Sequence, residues 1–438
     1  MSAFDAVVVG RAAIGSVAAL TFARAGWRVA LVGPGPADGE HREVGQTIPG
    51  SAGAADGWDQ RVYALSPASR ALLADLGVWQ LLDPARVAPV HDMRIFHAAG
   101  RNGAKPGSEV HLDAYHGRVE ALAWIVENRE LQAAIDRALT SAPPRMLTRV
   151  DAQVDSLTLP ESMDSSRATA SIGLAGGGTL AARLVVAADG GGSRLRELAG
   201  IDHVARDYDQ TAIVANFETG LPHRDCAWQW FGGFGVVALL PLPSGDLGHG
   251  RGRVSLVWSA PQDEALRAQS ADEERDAWLA ARVQSMTGEQ LGGLRLITPP
   301  ATFPLRTVRC RQVIKPGFIL IGDAAHTVHP MAGQGMNLGF GDVRGLIDHV
   351  IDRSTLQGTA DRSFAGRSSA PMAPDWLTLR RYERARREPV AMMQLALDGL
   401  HRAFGDLPAP LVGLRDLGWE IVARSPWLKR RMIAHAVS

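Results

Sequence analysis

The segment FDAVVVGRAAIGSVAALTFARAGWRVALVG, residues 4–33, places the chain in the α/β class. An apolar strand leads into a tight turn, an amphipathic helix follows, and a second apolar strand closes the segment. Units of this βαβ form bind the pyrophosphate of a dinucleotide at their first turn, where backbone N–H groups converge on a helix N-terminus. The segment therefore predicts an α/β fold with a dinucleotide at that turn.

The first turn carries a glycine fingerprint with one departure. Gly10 and Gly15 stand at the outer positions of a GxGxxG spacing, with Ala13 inside it, but Ala12 replaces the middle glycine. That glycine normally lets the backbone approach the pyrophosphate, and an alanine there adds a methyl group at an angle better suited to glycine. We still expect Gly10, Ala12, Ala13 and Gly15 to line the cofactor.

A second departure lies at the end of the second strand. The acidic residue that would hold the adenosine ribose is replaced by Gly33, and Asp38, Glu40 and Glu43 in the following loop are candidate substitutes. Unless another group already holds the ribose, we expect Gly33→Glu to tighten cofactor binding more than Ala12→Gly does.

A turn-rich run, GDAAHTVHPMAGQGMNLGFGD, occupies residues 322–342. The strand IKPGFILIGD leads into it, and the residues from Met336 onward have the apolar spacing of a helix. Glycines inside the run allow backbone N–H groups to converge at the start of this helix, which suits an anion or the electron-rich edge of a cofactor.

This run resembles the second flavin-binding motif of the FAD-dependent aromatic hydroxylases of ubiquinone biosynthesis, which are single-component flavin monooxygenases. It matches the family signature HP, an apolar residue, AGQG, x, N, x, G, x, x, D. The resemblance implies that Asp323 hydrogen-bonds the ribityl or ribose hydroxyls of FAD. It also implies that the loop lies beside the isoalloxazine ring, with these cofactor-binding residues: Pro330, Gly333, Gln334, Gly335, Met336 and Asn337.

The same run offers a rival interpretation. Asp323, His326 and His329 supply two imidazoles and a carboxylate, the ligand set of a non-haem iron site. The glycines and Pro330 turn the chain between and after these residues, so we expect no metal. We expect both histidines to pack or to support the site, with contact to the substrate or the flavin as the alternative.

Three further motifs match the same family in order. The block DQRVYALSPASRALLADLGVW, residues 59–79, implies that Arg61 lies near the FAD phosphates, with a surface salt bridge as the alternative. On the next helix Arg129, and more weakly Gln132, correspond to positions that reach the flavin, although an exposed helical arginine is the commoner case. In AADGGGSRLRELAGI the resemblance places Asp189 near the pyrophosphate and the path of the nicotinamide donor, and a capped strand-to-helix turn is the alternative.

The pattern between residues 203 and 305 changes to strands rich in Trp and Phe, which indicates a second, antiparallel sheet. In the family this sheet walls an apolar substrate cavity, and the run from Trp228 to Phe234 has the matching spacing. Trp228 and Trp230 also begin a flavin-halogenase signature, but the Ile-Pro that should follow is absent, so we expect no halogenation.

The predicted architecture is a GxGxxG-type, Rossmann-like FAD-binding domain with an inserted antiparallel β-rich substrate domain and a C-terminal helical segment. We assign the FAD-binding domain to residues 1–80, 121–202 and 306–350, and the substrate domain to residues 81–120 and 203–305. A flexible insertion is expected at residues 351–376, followed by helices at residues 377–438. The last of these, SPWLKRRMIAHAV, fits simple packing better than membrane contact.

The composition excludes several classes of function. The chain has 46 Lys plus Arg against 46 Asp plus Glu, so no overall charge favours nucleic acid. Its apolar runs fall short of a membrane span, and Cys226 and Cys310 show no metal or redox spacing. These features predict a cytoplasmic enzyme, with peripheral contact at the inner face of the membrane, or with other ubiquinone-biosynthesis proteins, left open.

The resemblance implies the chemistry. NADH or NADPH, binding transiently, reduces the FAD; dioxygen then gives a flavin hydroperoxide, which hydroxylates the ring of a prenylated phenol or quinol. The flavin makes the bond, so no catalytic base is named. Two alternatives stay open: hydroxylation of another phenolic small molecule, and a flavin-poor scaffold or lipid-binding member of a biosynthetic complex, for which Ala12 and Gly33 are the grounds.

Overall fold

A computed structural model describes ten stretches of the chain, and every structural statement below refers to them: 4–35, 57–97, 109–143, 145–163, 168–248, 250–270, 274–328, 334–351, 374–404 and 419–437. Within them lie twenty strands: β1 (Phe4–Val9), β2 (Val29–Gly33), β3 (Val62–Leu65), β4 (Val87–Val90), β5 (Asp92–His97), β6 (Val110–Asp113), β7 (Ala123–Glu127), β8 (Leu147–Asp151), β9 (Val154–Thr158), β10 (Ala170–Leu174), β11 (Thr179–Ala187), β12 (His203–Thr219), β13 (Cys226–Gly232), β14 (Gly235–Leu242), β15 (Gly252–Pro261), β16 (Leu294–Leu296), β17 (Ala301–Cys310), β18 (Ile314–Lys315), β19 (Phe318–Leu320) and β20 (His326–Thr327).

The same stretches contain these α-helices: α1 (Ala13–Arg24), α2 (Pro67–Asp75), α3 (Ala114–Gly117), α4 (Asn128–Thr140), α5 (Arg194–Leu198), α6 (Gln262–Ala268), α7 (Arg275–Thr287), α8 (Gln334–His349), α9 (Trp376–Phe404) and α10 (Pro426–Val437). Residues 419–424 are helical as well. Short 3-10 helices occur at Trp79–Leu81, Pro84–Arg86 and Gly322–Ala324. The flexible insertion expected at residues 351–376 lies almost wholly outside the described residues.

The eight-stranded sheet confirms the βαβ prediction. Its main path runs β18-β19-β11-β1-β2-β8, and β1 pairs in parallel with both β2 and β11. From β1 the chain moves to one side through α1 to β2, and later returns to β11 on the other side. Ligands of open α/β sheets bind beyond the carboxyl ends of the strands at such a reversal. The first glycine turn, residues 10–15, therefore stands at the expected crevice.

Both faces of this sheet are covered. Buried side chains of α1, α4, α8 and α9 form one cluster against it, including Phe22, Ile135 and Phe340. On the other face β9, β10 and α5 enclose a second cluster around Val185 and Phe318. Coverage on both faces explains why β1, β2 and the second half of β11 are almost continuously apolar.

The second sheet has nine strands along the path β20-β17-β12-β15-β14-β13-β5-β6, with β16 beside β12. Most of its pairs are antiparallel, as the sequence predicts, but β13 and β5 run parallel. The segment at 121–126 falls mainly in β7, which joins β3 and β4 in a three-stranded sheet.

Candidate functional site

The first glycine turn is shaped by close backbone approach. Gly10 has φ +117°, and a Cβ atom there would lie 2.1 Å from the carbonyl oxygen of Ala188. A Cβ atom on Gly15 would lie 2.0 Å from the carbonyl oxygen of Gly10. Both positions therefore require glycine, and they bring β1, α1 and the end of β11 together at the crevice.

The middle position of the fingerprint differs from our expectation. Ala12 is the N-cap of α1 with φ −71° and ψ 175°, an extended conformation open to any residue, and it is exposed. The expected conformational penalty for alanine is therefore wrong. Ala13 begins the helix and is buried, so its neighbour Ala12 presents the only methyl group of this pair to solvent.

The second glycine-rich run packs directly on the first turn through Ile14. A Cβ atom on Gly322 would lie 3.2 Å from Ile14 Cγ2, and one on Gly339 would lie 2.7 Å from Ile14 Cδ1. Between the buried Gly322 and Ala324, Asp323 is exposed at the carboxyl end of β19. Two motifs more than 300 residues apart in the chain thus form one site.

The buried carboxylate of Asp342 fixes the turn that begins at Gly322. Asp342 accepts hydrogen bonds from Gly322 N, from His326 Nε2 and from Arg386 Nε, each at 2.8 Å. Burial raises the pKa of Asp342, but the nearby His326 and Arg386 outweigh it, and the pKa lies below its ordinary value. His326 is therefore engaged with Asp342, while His329, the other histidine of the iron interpretation, lies outside the described residues.

Asn337 connects the glycine-rich run at residues 322–342 to the family motif at residues 59–79 through hydrogen bonds. Its Oδ1 accepts from Ser66 N at 2.9 Å and from Ser69 Oγ at 2.8 Å, and its Nδ2 donates to Ala64 O at 2.9 Å. Ser66 caps α2, as its sequence position predicts, by accepting from Ser69 N. The asparagine of the family signature therefore links α8 to α2 by hydrogen bonds.

The neighbours of Asn337 in the run divide between described and undescribed residues. Gln334, Gly335 and Met336 form the first turn of α8 and are half-buried. Pro330 and Gly333 lie outside the described residues.

The arginines chosen from the sequence lie at different places. The Arg61 guanidinium stands over the rings of Tyr63 and Phe303, at 5.7 and 5.5 Å. Arg129 donates from its backbone to Asp59 Oδ2 at 2.8 Å and from its guanidinium to Gly57 O, so it fastens the segment that carries Arg61. Gln132 donates to the carbonyl oxygen of Arg11 at 3.4 Å, which places it against the first glycine turn.

The motif that follows β11 is tied to both glycine turns. Asp189 accepts from Ser193 Oγ at 2.5 Å and from Leu195 N at 3.0 Å, and burial raises its pKa. The buried Arg196 donates to Gly191 O at 2.8 Å and to Ala324 O at 2.9 Å. Asp189 thus shapes its own turn, while Arg196 links that turn to the one that carries Asp323.

Two of the fastening residues were not chosen from the sequence. Asp342 was visible as the last letter of the family signature, but only its three contacts reveal its part. Arg386 belongs to α9, and no local pattern in the sequence distinguishes it from the other arginines of that helix.

Comparisons with known proteins agree with this geometry. Residues 58–366 match the model of a family described as FAD binding domain. The chain is 30% identical over 435 residues to the 3-demethoxyubiquinol 3-hydroxylase of Escherichia coli, covering 99% of this chain and 98% of the relative. It is 32% identical over 438 residues to the ubiquinone hydroxylase UbiL of Rhodospirillum rubrum, covering 99% and 89%. The chain belongs to the FAD-dependent hydroxylases of ubiquinone biosynthesis.

A solved structure supports the fold of this hydroxylase independently. The p-nitrophenol 4-monooxygenase PnpA of Pseudomonas putida superposes with a TM-score of 0.70 at 15% identity, covering 100% of this chain and 98% of that one. The residues present also fit the cofactor. The N-cap of α1, Ala12, makes no side-chain hydrogen bond to the helix, and the first N–H groups of a helix have no intrahelical partner, so the start of α1 suits a pyrophosphate.

The nine-stranded sheet of the hydroxylase presents two different apolar faces. Trp228, Trp230 and Phe234 point to the face covered by α6 and α7, and the two indoles stack with Phe96. Our assignment of the whole aromatic run to a substrate wall is therefore wrong for these three rings. Alternate residues of the strand point the other way, and among the aromatic residues of the run it is Phe231 that lies on this second face.

The face that carries Phe231 is the one near the cofactor turns. It packs with Val328 and Leu338, which bracket the signature loop in the sequence, and with apolar side chains of α9 and α10. The Phe231 and Trp419 rings are 6.4 Å apart. This inner face of the sheet, defined by Phe231, Ala238 and Leu240, therefore adjoins the flavin motif and the C-terminal helices.

Proposed function

We propose that this hydroxylase acts on the aromatic ring of a prenylated phenol or quinol intermediate of ubiquinone biosynthesis. The observation that carries the proposal is the packing of Val328 and Leu338, which flank the signature loop in the sequence, in the cluster of the apolar inner face. The two relatives named for a ubiquinol and for ubiquinone support the same class of substrate.

Bound FAD, reduced by NADH or NADPH, would activate dioxygen, so that one oxygen atom enters the ring and the other leaves as water. The chain's own residues bind the cofactor, hold the ring and keep water out. We propose that Asp323 accepts the ribityl or ribose hydroxyls, that Arg61 lies near the phosphates, that Arg129 reaches the flavin, and that Asp189 shapes the turn beside the pyrophosphate. The remaining proposed contacts are those of the two glycine-rich turns: Gly10, Ala12, Ala13, Gly15, Pro330, Gly333, Gln334, Gly335, Met336 and Asn337.

The ring is held by apolar packing rather than by an acid–base pair. Phe231, Ala238 and Leu240 offer no proton donor or acceptor in their side chains, and α9 and α10 cover the same cluster. A dry wall of this kind protects a reactive oxygen-transfer step from water and suits the apolar prenyl tail.

Complementation tests the substrate assignment. Bacterial strains that each lack one ring hydroxylase of ubiquinone biosynthesis would receive this chain, and their quinones would be measured. Restored ubiquinone in one strain identifies the ring position. Failure in every strain, together with hydroxylation of a simpler phenol by the purified protein, would favour the alternative of another phenolic substrate.

The alternative of a flavin-poor scaffold was based on Ala12 and Gly33. The extended conformation of Ala12 imposes no conformational penalty on alanine, so only the missing acid at Gly33 still supports that alternative.

We also propose that α10 touches the membrane that holds the prenylated substrate. Trp427 is 64% exposed and Met432 is 40% exposed, and Lys429, Arg430 and Arg431 lie between them in the sequence. Exposed apolar rings beside cations suit an anionic lipid surface. No helix in the described part of the chain is long and apolar enough to cross a bilayer.

Co-sedimentation with vesicles of anionic phospholipid tests the membrane contact. The wild-type protein should sediment with them, and Trp427→Ala combined with Arg430→Ser should reduce the bound fraction. Equal sedimentation of both proteins would remove α10 from the contact, and no sedimentation of either would favour association with other ubiquinone-biosynthesis proteins.

A further inference from the structure

The end of β2 lacks its acid, but the neighbouring strand supplies one at the same level. β2 pairs in parallel with β8, and the last pair in register is Gly33 with Asp151. The carboxyl ends of parallel strands meet at one edge of a sheet, so Asp151 stands beside the place where an acid on β2 would stand. Sequence distance hides this neighbour, because β8 follows β2 by more than 100 residues.

The Asp151 side chain leans toward the chain that leaves β2. A Cβ atom built on Gly35 would lie 3.2 Å from the carboxyl carbon of Asp151 and 3.3 and 3.4 Å from its oxygens. The side chain is 67% exposed, so much of it remains accessible to a ligand. A carboxylate has about four acceptor positions, which leaves room for ligand hydroxyls beside a protein partner.

Arg11, from the first glycine turn, crosses Gly33 to reach this carboxylate. A Cβ atom on Gly33 would lie 2.9 Å from Arg11 Cγ and 3.1 Å from Arg11 Cδ, and Arg11 Nη1 pairs with Asp151 Oδ1. The turn holds Arg11 in place, because its carbonyl oxygen accepts from Ser16 Oγ at 2.8 Å and from Gln132. Gly33 therefore makes space for an arginine that positions an acid on the next strand.

We propose that Asp151, positioned by Arg11, accepts the hydrogen bonds of the adenosine ribose hydroxyls of FAD. The inference rests on FAD occupying the turn at residues 10–15. It explains how the chain dispenses with an acid at position 33. Asp38, Glu40 and Glu43, the loop candidates, lie outside the described residues and are not needed for this contact.

The test compares two ligands in two proteins. Apo-protein is titrated with FAD and with an FAD analogue whose adenosine is 2′,3′-dideoxy, and flavin fluorescence reports binding. In the wild type the analogue should bind at least about tenfold more weakly, the loss typical of one hydrogen bond to a charged group. Asp151→Asn should weaken FAD binding by a similar factor and should bind FAD and the analogue nearly alike.

Asp155→Asn is the matched control, since Asp155 is an exposed aspartate on β9, the next strand in the sequence, which pairs with β10 and not with β8. It should keep the wild-type affinities and the wild-type preference for FAD. Circular dichroism and thermal melting show whether each variant is folded, which is expected because both side chains are exposed.

An unchanged FAD affinity in Asp151→Asn, or an equal preference for FAD over the analogue in both proteins, would overturn the proposal. A wild type that binds neither ligand would overturn the assignment of FAD to this chain as well, and so separates that failure from a wrong choice of ribose acceptor.

Discussion

Among single residues, the exposed carboxylate of Asp323 between buried neighbours is the clearest candidate for a ligand contact. Asp323→Ala should weaken FAD binding by about tenfold to a hundredfold, because a hydrogen bond to a charged group contributes about 1.5–3 kcal/mol. Titration of the apo-protein with FAD measures the change. Asp348→Asn, an exposed aspartate of α8, is the control and should bind as the wild type does. Full flavin content in a folded Asp323→Ala protein would remove this residue from the site.

Gly33 gives a second prediction, which reverses the one drawn from the sequence. A side chain at position 33 meets Arg11, and Gly33→Glu adds a second carboxylate near Asp151. Displacement of Arg11 and repulsion between like charges both oppose binding, so we expect Gly33→Glu to leave FAD affinity unchanged or weaker. Ala12→Gly should have little effect, since Ala12 is extended and exposed. Tighter binding by Gly33→Glu in the same FAD titration would show that the ribose lacked an acceptor.

These residues also show which site features a sequence reveals. The turns at residues 10–15 and 322–342 were predictable because glycine spacing and the adjoining strand and helix are local patterns. The pairing of Gly33 with Asp151 was not, since it depends on strand order in the sheet. The methyl group of Ala12 was misjudged because the sequence does not state the backbone angle of that position.

Among elements, α8 and α9 hold the second flavin turn through Asp342. Asp342→Asn should destabilise the fold by about 3–5 kcal/mol, because it leaves the Arg386 guanidinium buried without its charged partner. Chemical denaturation measures the loss, with Asp348→Asn on the same helix as control. FAD affinity should fall as well, since Asp342 accepts from Gly322 N beside Asp323. A stability change under 1 kcal/mol would contradict the assigned role.

The pH dependence of that stability follows from the lowered pKa of Asp342. A carboxyl whose pKa is lower in the folded state contributes stability above its unfolded pKa, about 3.9, and loses it as the pH falls through the folded value. The difference in unfolding free energy between wild type and Asp342→Asn should therefore be constant near neutrality and shrink below about pH 4. Denaturant curves across acid pH check this, and a difference that grows on acidification would contradict it.

The sequence predicts strand β13 but not the directions in which its side chains point. Its run CAWQWFG is buried on both faces, because helices α6 and α7 cover one face and the inner-face cluster covers the other. A strand with two buried faces lacks the alternation that would tell the faces apart. The strand was therefore predicted correctly, while the direction of Trp228 and Trp230 was not.

For the whole molecule, the two faces of the nine-stranded sheet should respond differently to substitution. Phe231→Leu alters the inner face and should lower kcat/KM for the prenylated phenol about tenfold, with a larger share of NAD(P)H oxidised without product. Trp228→Phe alters the outer face and should leave kcat/KM near the wild-type value while lowering stability. Steady-state kinetics with product analysis separates the two. Equal loss of kcat/KM in both variants would contradict the assignment of the inner face.

The whole molecule is proposed to transfer one oxygen atom of dioxygen to a prenylated phenol. The most direct measurement follows FAD-loaded protein with NADH or NADPH, a prenylated phenol and isotopically labelled dioxygen. We predict faster oxidation of the nicotinamide donor when the phenol is present, and a hydroxylated product that carries one labelled oxygen atom. Oxidation at the same rate with and without the phenol, and no labelled product from any prenylated phenol or quinol, would contradict the account.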